Sequence, residues 1–281
     1  MLSSSPIALS FEFFPPKNDE GRKALLAAAH ELAILDPAFV TVTFGAGGST
    51  KSGTFEAAKL LQQDCGLNVG AHLSYFGTPK AELFAYADQL WDAGIRHLVA
   101  LRGDIPQGQS PANFKEPDYF EYTSEFVEAL LKCHPFDISV GAYPEKHPDA
   151  PSLDADLIAL EKKCAAGAAR AITQFFFDPA IYQNFVSQAR NKGILTPITP
   201  GLLPIRDFNK ICGFAEKCQA HIPQEFKEIF TNSSDPVATG IDLLSRQILA
   251  LKEMGVSHFH FYTLNHSDMV IGACRQAGIR L

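Results

Sequence analysis

The segment AITQFFFDPAIYQNFVSQARNKGILTPITPGLL, residues 171–203, decides the fold. Its opening run, Ala171 to Phe177, is short and rich in aromatic and β-branched residues, which is the signature of a buried strand. Asp178-Pro179 then marks a helix entrance, where Asp can cap free amides and Pro loses nothing by lacking an N–H. Helical periodicity follows until Lys192-Gly193, a stop signal. A second strand-like run, Ile194 to Leu203, closes the unit. A strand, a helix and a strand in so short a span imply a crossover and parallel strands.

The same order extends in both directions. Comparable runs occupy Ile7 to Phe14, Phe39 to Phe44, Asn68 to Tyr75, His97 to Arg102, Asp137 to Tyr143 and His258 to Leu264. Ala93-Gly94, Ala166-Gly167 and Met254-Gly255 repeat the helix stop, and Pro15-Pro16 and Asp235-Pro236 repeat the entrance. The stretch Ile205 to Ala238 exceeds what one helix needs, so two or three helical pieces are expected there. Strict alternation with eight strand runs predicts a (β/α)8 barrel of the TIM type. No internal repeat, low-complexity segment or linker marks a boundary, so residues 1–281 are read as one domain.

Composition agrees with this reading. The chain has 281 residues, 46% of them apolar and 20% charged, with 22 Phe, 7 Tyr and 1 Trp, enough for a large core and too apolar for disorder. Its formal charge of −7 offers no overall basic field for nucleic acid or an anionic membrane, so any anionic ligand must be held by local groups. MLSSSPIALS carries no leader pattern, and no long apolar run suggests a membrane span, so a cytoplasmic protein is expected. The 6 cysteines form no CxxC pair or zinc spacing, which predicts reduced thiols and no metal.

In such a barrel, chemistry sits at the C-terminal ends of the strands. The polar residues placed there are Glu12, Thr43, His72, Arg102, Asp104, Tyr143, Glu145, His147, Gln174, Tyr262, Thr263, Asn265 and His266. Glu12 is the most informative, because Phe11, Phe13 and Phe14 surround it. Alternation turns Glu12 away from Phe11 and Phe13, and inside a barrel mouth desolvation would raise its pKa toward neutrality, making it a proton donor. The alternative is a Glu paired with an interior Lys or Arg. Gly45-Ala46-Gly47-Gly48-Ser49-Thr50 reads either as an anion-binding nest or as a plain strand-to-helix turn. Lys162 and Lys163, on the helix after strand five with Asp156, read by themselves as a solvated face.

The run Ser10 to Lys17 (SFEFFPPK) resembles the opening motif of the methylenetetrahydrofolate reductases. VTFGAGGST from Val42, LRGD from Leu101, AYPEKHP from Ala142, ITQFFFD from Ile172 and FHFYTLN from Phe259 look like that family's later motifs, in order and on successive strands. The resemblance covers nearly the whole chain and matches the short bacterial form. It implies a barrel that holds FAD non-covalently and reduces 5,10-methylenetetrahydrofolate to 5-methyltetrahydrofolate with NADH or NADPH, in ping-pong fashion.

The resemblance also implies roles. Glu12 corresponds to the general acid, and Asp104 to the acidic residue beside the flavin and folate. Thr43, Phe44, Ala46, His72, Arg102, Gly103, Asp104, Tyr122, Thr123, Tyr143, His147, Ala150, Asp156, Lys162 and Lys163 fall on cofactor positions, which turns the two lysines into candidates for the FAD pyrophosphate. Asp104, Gln174, Lys210, Phe214 and His266 fall on substrate positions, with Phe214 as a stacking aromatic. Three departures stand out: His266 replaces a common Arg, Lys210 a Gln and Ala159 an Asn. The family suggests a homo-oligomer. Competing readings are a flavin-free aldolase-type lyase using Glu12, and a barrel kept only for binding.

Overall fold

The structure, a computed structural model, describes residues 7–44, 51–104, 114 and 117–279. Strands β1 (Ala8–Phe13), β2 (Phe39–Val42), β3 (Val69–Ser74), β4 (His97–Leu101), β5 (Asp137–Ala142) and β6 (Arg170–Thr173) come first. Between and after them lie α1 (Asp19–Ala33), α2 (Lys51–Cys65), α3 (Lys80–Asp92), α4 (Thr123–Cys133), α5 (Leu153–Ala165) and α6 (Pro179–Asn191). The chain continues through β7 (Ile198–Thr199), β8 (Gly201–Leu202), α7 (Phe208–Cys218), α8 (Gln224–Thr231), α9 (Pro236–Glu253), β9 (His258–Tyr262) and α10 (Asp268–Gln276).

Every pairing is parallel, in the order β7-β6-β5-β4-β3-β2-β1-β9-β8. The seventh strand, expected as one run from Ile194 to Leu203, is instead two short pieces. Ile198–Thr199 pairs with β6 and Gly201–Leu202 with β9, so the peptide link through Pro200 closes the barrel. Pro200 has no N–H to offer a ladder, but its carbonyl accepts from His260 N at 3.0 Å. Gly201 N turns to the Thr173 hydroxyl at 2.9 Å. Only glycine fits there, since a Cβ would sit 2.2 Å from the Thr173 carbonyl oxygen.

Alternation along each strand divides the barrel into two environments. Leu9, Phe11 and Phe13 face the helical layer and pack into one core with Leu25, Ala29 and Leu32 of α1 and with Val40, Val42, Phe259 and Phe261. Each such side chain contributes about 1.5–3 kcal/mol by leaving water. Ser10 and Glu12 point the other way, into a barrel interior unusually rich in polar groups: Thr41, His72, His97, Ser139 and His260 are all buried. That choice costs packing energy and leaves titratable groups under the mouth.

The helix signals hold with one adjustment. Asp178, Asp207 and Asp235 accept from the first-turn amides of α6, α7 and α9, and Gly94, Gly167, Gly193 and Gly255 follow their helices with positive φ. Pro15-Pro16 does not open α1; Asn18 caps it, accepting from Gly21 N at 2.8 Å. Residues 205–238 hold α7, α8 and the start of α9, as expected. Phe175, Phe177, Leu203, Ile205, Ile211, Ala215 and Phe226 form a second cluster that seats α7 beside the mouth.

Candidate active site

The C-terminal ends of the strands open into a cavity of about 430 Å³ whose walls include Glu12, Thr43, Phe44, His72, Leu101, Asp104, Tyr143, Gln174, Phe214 and Tyr262. The C-terminal ends of seven strands and α7 contribute these side chains, which no single segment brings together. Glu12 is only 13% exposed, and its Oε2 lies 3.3 Å from His72 Nε2 and 3.7 Å from His260 Nε2. Burial pushes the Glu12 carboxyl up, an effect that neighbouring His72 partly offsets. Burial also drives His72 down to about 4 and His260 to about 3, so both rings are neutral near pH 7. The interior Lys or Arg partner is therefore replaced by uncharged imidazoles, and the carboxyl keeps its proton more readily than an exposed one.

Asp104 is exposed at the cavity rim. It is aimed by Gly103, whose φ of +87 and whose missing Cβ, which would meet Ser74 at 2.7 Å, restrict that position to glycine. Gln174 donates from Nε2 to Cys218 Sγ at 3.5 Å and accepts from Phe175 N at 3.0 Å. Thr43 Oγ1 is buried in the cavity wall and has no hydrogen-bond partner among the described residues.

A second cavity of about 470 Å³ adjoins the first and shares Leu101, Gly141 and Tyr143 with it, so the two form one groove. Arg102, Tyr122, Thr123, His147, Ala150, Asp156, Ala159, Lys162 and Lys163 line it. Arg102 pairs with Asp149 at 2.5 Å. Lys162 is exposed on the groove edge, whereas Lys163 donates to the Gly141 carbonyl at 2.6 Å, and burial lowers its pKa. The solvated-face reading fails for Lys163. Asp156 accepts from His147 N at 2.8 Å, and His147 Nδ1 accepts from Asp149 N at 3.0 Å, which leaves the ring proton on Nε2. Burial lifts the Tyr143 hydroxyl to about 12, keeping it a neutral donor. Ala46 and the rest of its glycine-rich loop lie outside the described residues.

Lys210 and His266 stand apart from the floor of the mouth. With Arg206, Asp207, Phe214 and Leu264 they line a third cavity of about 150 Å³, which meets the first at Phe214 and Leu264. Phe214, 40% exposed, thus faces both spaces. Sequence reading missed Arg206 and Cys218 here, although the charge just past strand seven was a usable signal for the former. Asn265 proves structural: its amide donates to Phe14 O at 3.0 Å and accepts from Phe14 N at 2.8 Å, fastening β9 to the end of β1. Among the described residues no cluster could hold a metal ion and no helix is long and apolar enough to cross a membrane.

A closed parallel barrel with a desolvated carboxylate under its mouth and a cation-edged groove beside it defines an enzyme of the TIM-barrel class acting on small molecules. The family profile for methylenetetrahydrofolate reductase matches residues 1–278. The chain is 39% identical over 278 residues to the 5,10-methylenetetrahydrofolate reductase of Escherichia coli K12, covering 98% of this chain and 92% of that one. It is 33% identical to methylenetetrahydrofolate reductase (NADH) 1 of Arabidopsis thaliana, over 97% of this chain and 48% of the plant protein. Among solved structures, a Clostridium thermocellum protein that binds two copies of 5-methyl-5,6,7,8-tetrahydrofolic acid superposes with a TM-score of 0.64 over 98% of this chain and 96% of that one. At 13% identity that likeness shows the fold alone. The chain belongs to the methylenetetrahydrofolate reductase family and is an oxidoreductase of folate one-carbon metabolism.

Proposed function

We propose that this chain binds FAD along the two-cavity groove and reduces 5,10-methylenetetrahydrofolate to 5-methyltetrahydrofolate with NADH or NADPH, the two substrates using the mouth in turn. The observation that carries the mechanism is Glu12, a carboxyl whose pKa is raised by burial beside neutral imidazoles at the cavity floor. Glu12 protonates the departing folate nitrogen, the methylene bridge opens and a cationic iminium forms. Asp104, on the rim, stabilises that positive charge. Bound FAD would supply the hydride, taken from the nicotinamide and passed to the iminium carbon.

The residues present fit such a cofactor. Thr43 offers a buried hydroxyl with no partner among the described residues, Tyr143 and His147 offer neutral donors, and Arg102, Lys162 and Lys163 offer the local cations a pyrophosphate needs on an acidic protein. Phe44, His72, Gly103, Tyr122, Thr123, Ala150 and Asp156 complete the wall. Gln174 and Phe214 would hold the pterin or nicotinamide, and Lys210 and His266 the anionic end of the folate. An anaerobic titration tests the reading: the purified protein should show a flavin absorption band, bleach with NADH or NADPH, and recover colour with methylenetetrahydrofolate. A colourless protein on which added FAD confers no activity would refute it.

A further inference from the structure

Below Glu12 the barrel interior holds a second set of polar side chains that the reaction at the mouth does not use. His260 Nδ1 lies 2.8 Å from Ser10 Oγ, and Ser10 Oγ lies 3.0 Å from His258 Nε2. These bonds join the first and last strands, whose register sets Ser10 opposite His260 and Glu12 opposite Tyr262. At its upper end, His260 Nε2 is buried, has no hydrogen-bond partner among the described residues, and faces Glu12 Oε2 at 3.7 Å, a few tenths of an ångström beyond bonding range. At its lower end, His258 opens β9 and is only half-buried, at the N-terminal face of the barrel. The series Glu12, His260, Ser10, His258 therefore spans the floor from the mouth to the opposite face.

We propose that His258, Ser10 and His260 form a proton relay that recharges Glu12 from the face of the barrel opposite the substrate mouth. The proposal rests on Glu12 being the acid of the reaction. Ser10 has one proton and can also turn it to the Phe259 carbonyl at 3.5 Å; when it donates to one of the nearer rings and accepts from the other, the chain has a direction. With His260 protonated on Nε2, Ser10 donating to His260 Nδ1, and His258 protonated on Nε2, the chain is loaded. Once Glu12 has spent its proton, its carboxylate takes the His260 Nε2 proton. His260 Nδ1 takes the Ser10 hydroxyl proton, Ser10 takes the His258 Nε2 proton, and His258 Nδ1 takes one from water. One proton passes from solvent to Glu12, only N–H and O–H bonds change, and no electron moves. Rotation of the Ser10 hydroxyl and exchange of the two ring tautomers reload the chain.

The surroundings favour transfer over storage. His72 and Tyr262 face Glu12; Arg170 and His97 face the two lower rings; and Asp137, which pairs with Arg170 at 2.7 Å, closes the floor. Burial keeps both rings neutral, with the Arg170 cation adding to it at His258, so a proton moves through them without resting as imidazolium. His72 offers no second route, because the one hydrogen bond its ring is seen to make, to Thr41 Oγ1 at 3.3 Å, leads no further among the described residues. A mouth filled in turn by two ligands has only intermittent access to water, whereas half-buried His258 lies at the opposite face, away from both ligands.

The test separates the first turnover from those that follow. Reduced holoenzyme of Ser10→Ala and of His258→Phe, prepared with Glu12 protonated, is mixed with one equivalent of methylenetetrahydrofolate, and steady-state turnover is measured alongside. The relay predicts a single-turnover rate within about twofold of the parent, steady-state kcat reduced by roughly tenfold at unchanged KM, and an enlarged solvent deuterium effect on kcat alone. A small buffer acid able to enter the mouth should restore the steady-state rate. Parental kcat in both variants would overturn the relay, and so would equal losses in the two measurements, which would mean a packing role. Should Ser10→Ala fail to hold flavin, His258→Phe, at the half-exposed rim, decides alone. A parallel Glu12→Gln enzyme that still reduces folate would instead remove the acid assignment beneath both readings.

Discussion

The two halves of the groove solve different problems with opposite means. Around Glu12, on β1, β3 and β9, the side chains are desolvated: a raised carboxyl pKa and lowered imidazole pKa values follow from removing water. Around Lys162, on β4, β5 and α5, charges remain half-exposed and in ion pairs such as Arg102 with Asp149. Desolvation sharpens a proton donor because it penalises the charged state, while a polyanion is better held by cations that stay solvated until it arrives. The proposed reaction needs both, side by side.

The largest effect should come from the desolvated half. Glu12→Gln is expected to lower folate reduction by roughly 10²- to 10⁴-fold while leaving reduction of bound flavin by the nicotinamide at the parental rate. Stopped-flow measurement of both half-reactions decides it; retention of more than about a third of folate turnover would sink the assignment of the acid.

On the cationic half, replacing both Lys162 and Lys163 by Ala should weaken FAD binding at least about tenfold, since charge-assisted bonds contribute about 1.5–3 kcal/mol each. Fluorescence titration of apoprotein at two salt concentrations reads this. The single variants sharpen the contrast. Lys162→Ala should leave the apoprotein melting temperature unchanged, whereas Lys163→Ala should lower it, because Lys163 also holds the Gly141 carbonyl. Equal apoprotein stability in the two would mean that this bond is absent in solution.

The desolvated half should also govern acid stability. In the folded protein His72 and His258 are lowered to about 4 and His97 and His260 to about 3, from the ordinary 6.5. The unfolded chain thus binds protons first as pH falls. The stability these depressed values contribute is present above pH 6.5 and is lost as pH falls toward 4 and 3. Each histidine contributes a slope of about 1.4 kcal/mol per pH unit in that window. Glu12, raised by burial, acts in the opposite direction, its contribution being lost as pH rises through its folded value. Urea midpoints between pH 7 and 5 should fall steeply, and less steeply in His258→Phe; a flat profile would show that the interior rings are hydrated.

The smallest effect is expected at the third cavity. His266→Arg should lower KM for methylenetetrahydrofolate by only a few-fold, because an exposed ion pair contributes about 1 kcal/mol or less. The nicotinamide half-reaction should not change. A shift in both would place His266 closer to the shared mouth than its cavity indicates.

Alternating strand and helix patterns, Asp-Pro entrances and glycine stops are local properties, set by backbone sterics and capping within a few residues. For that reason the barrel, its helices and the inward direction of Glu12 were legible in the sequence alone. The motifs likewise carried the family and the membership of Lys162, Tyr143 and His147 in one groove. The tertiary structure decided what depends on partners far along the chain. Strand seven divides at Pro200 because β6 and β9 claim its two halves, and Lys163 is drawn to Gly141 across the α5–β5 packing. Ser10 meets His258 and His260 only because closure of the barrel sets β1 beside β9, although the partners lie 248 and 250 positions apart in sequence. Desolvation belongs to the same class: Glu12 acquires its raised pKa from the whole wall around it, and no neighbouring letter in the sequence specifies how completely that wall excludes water.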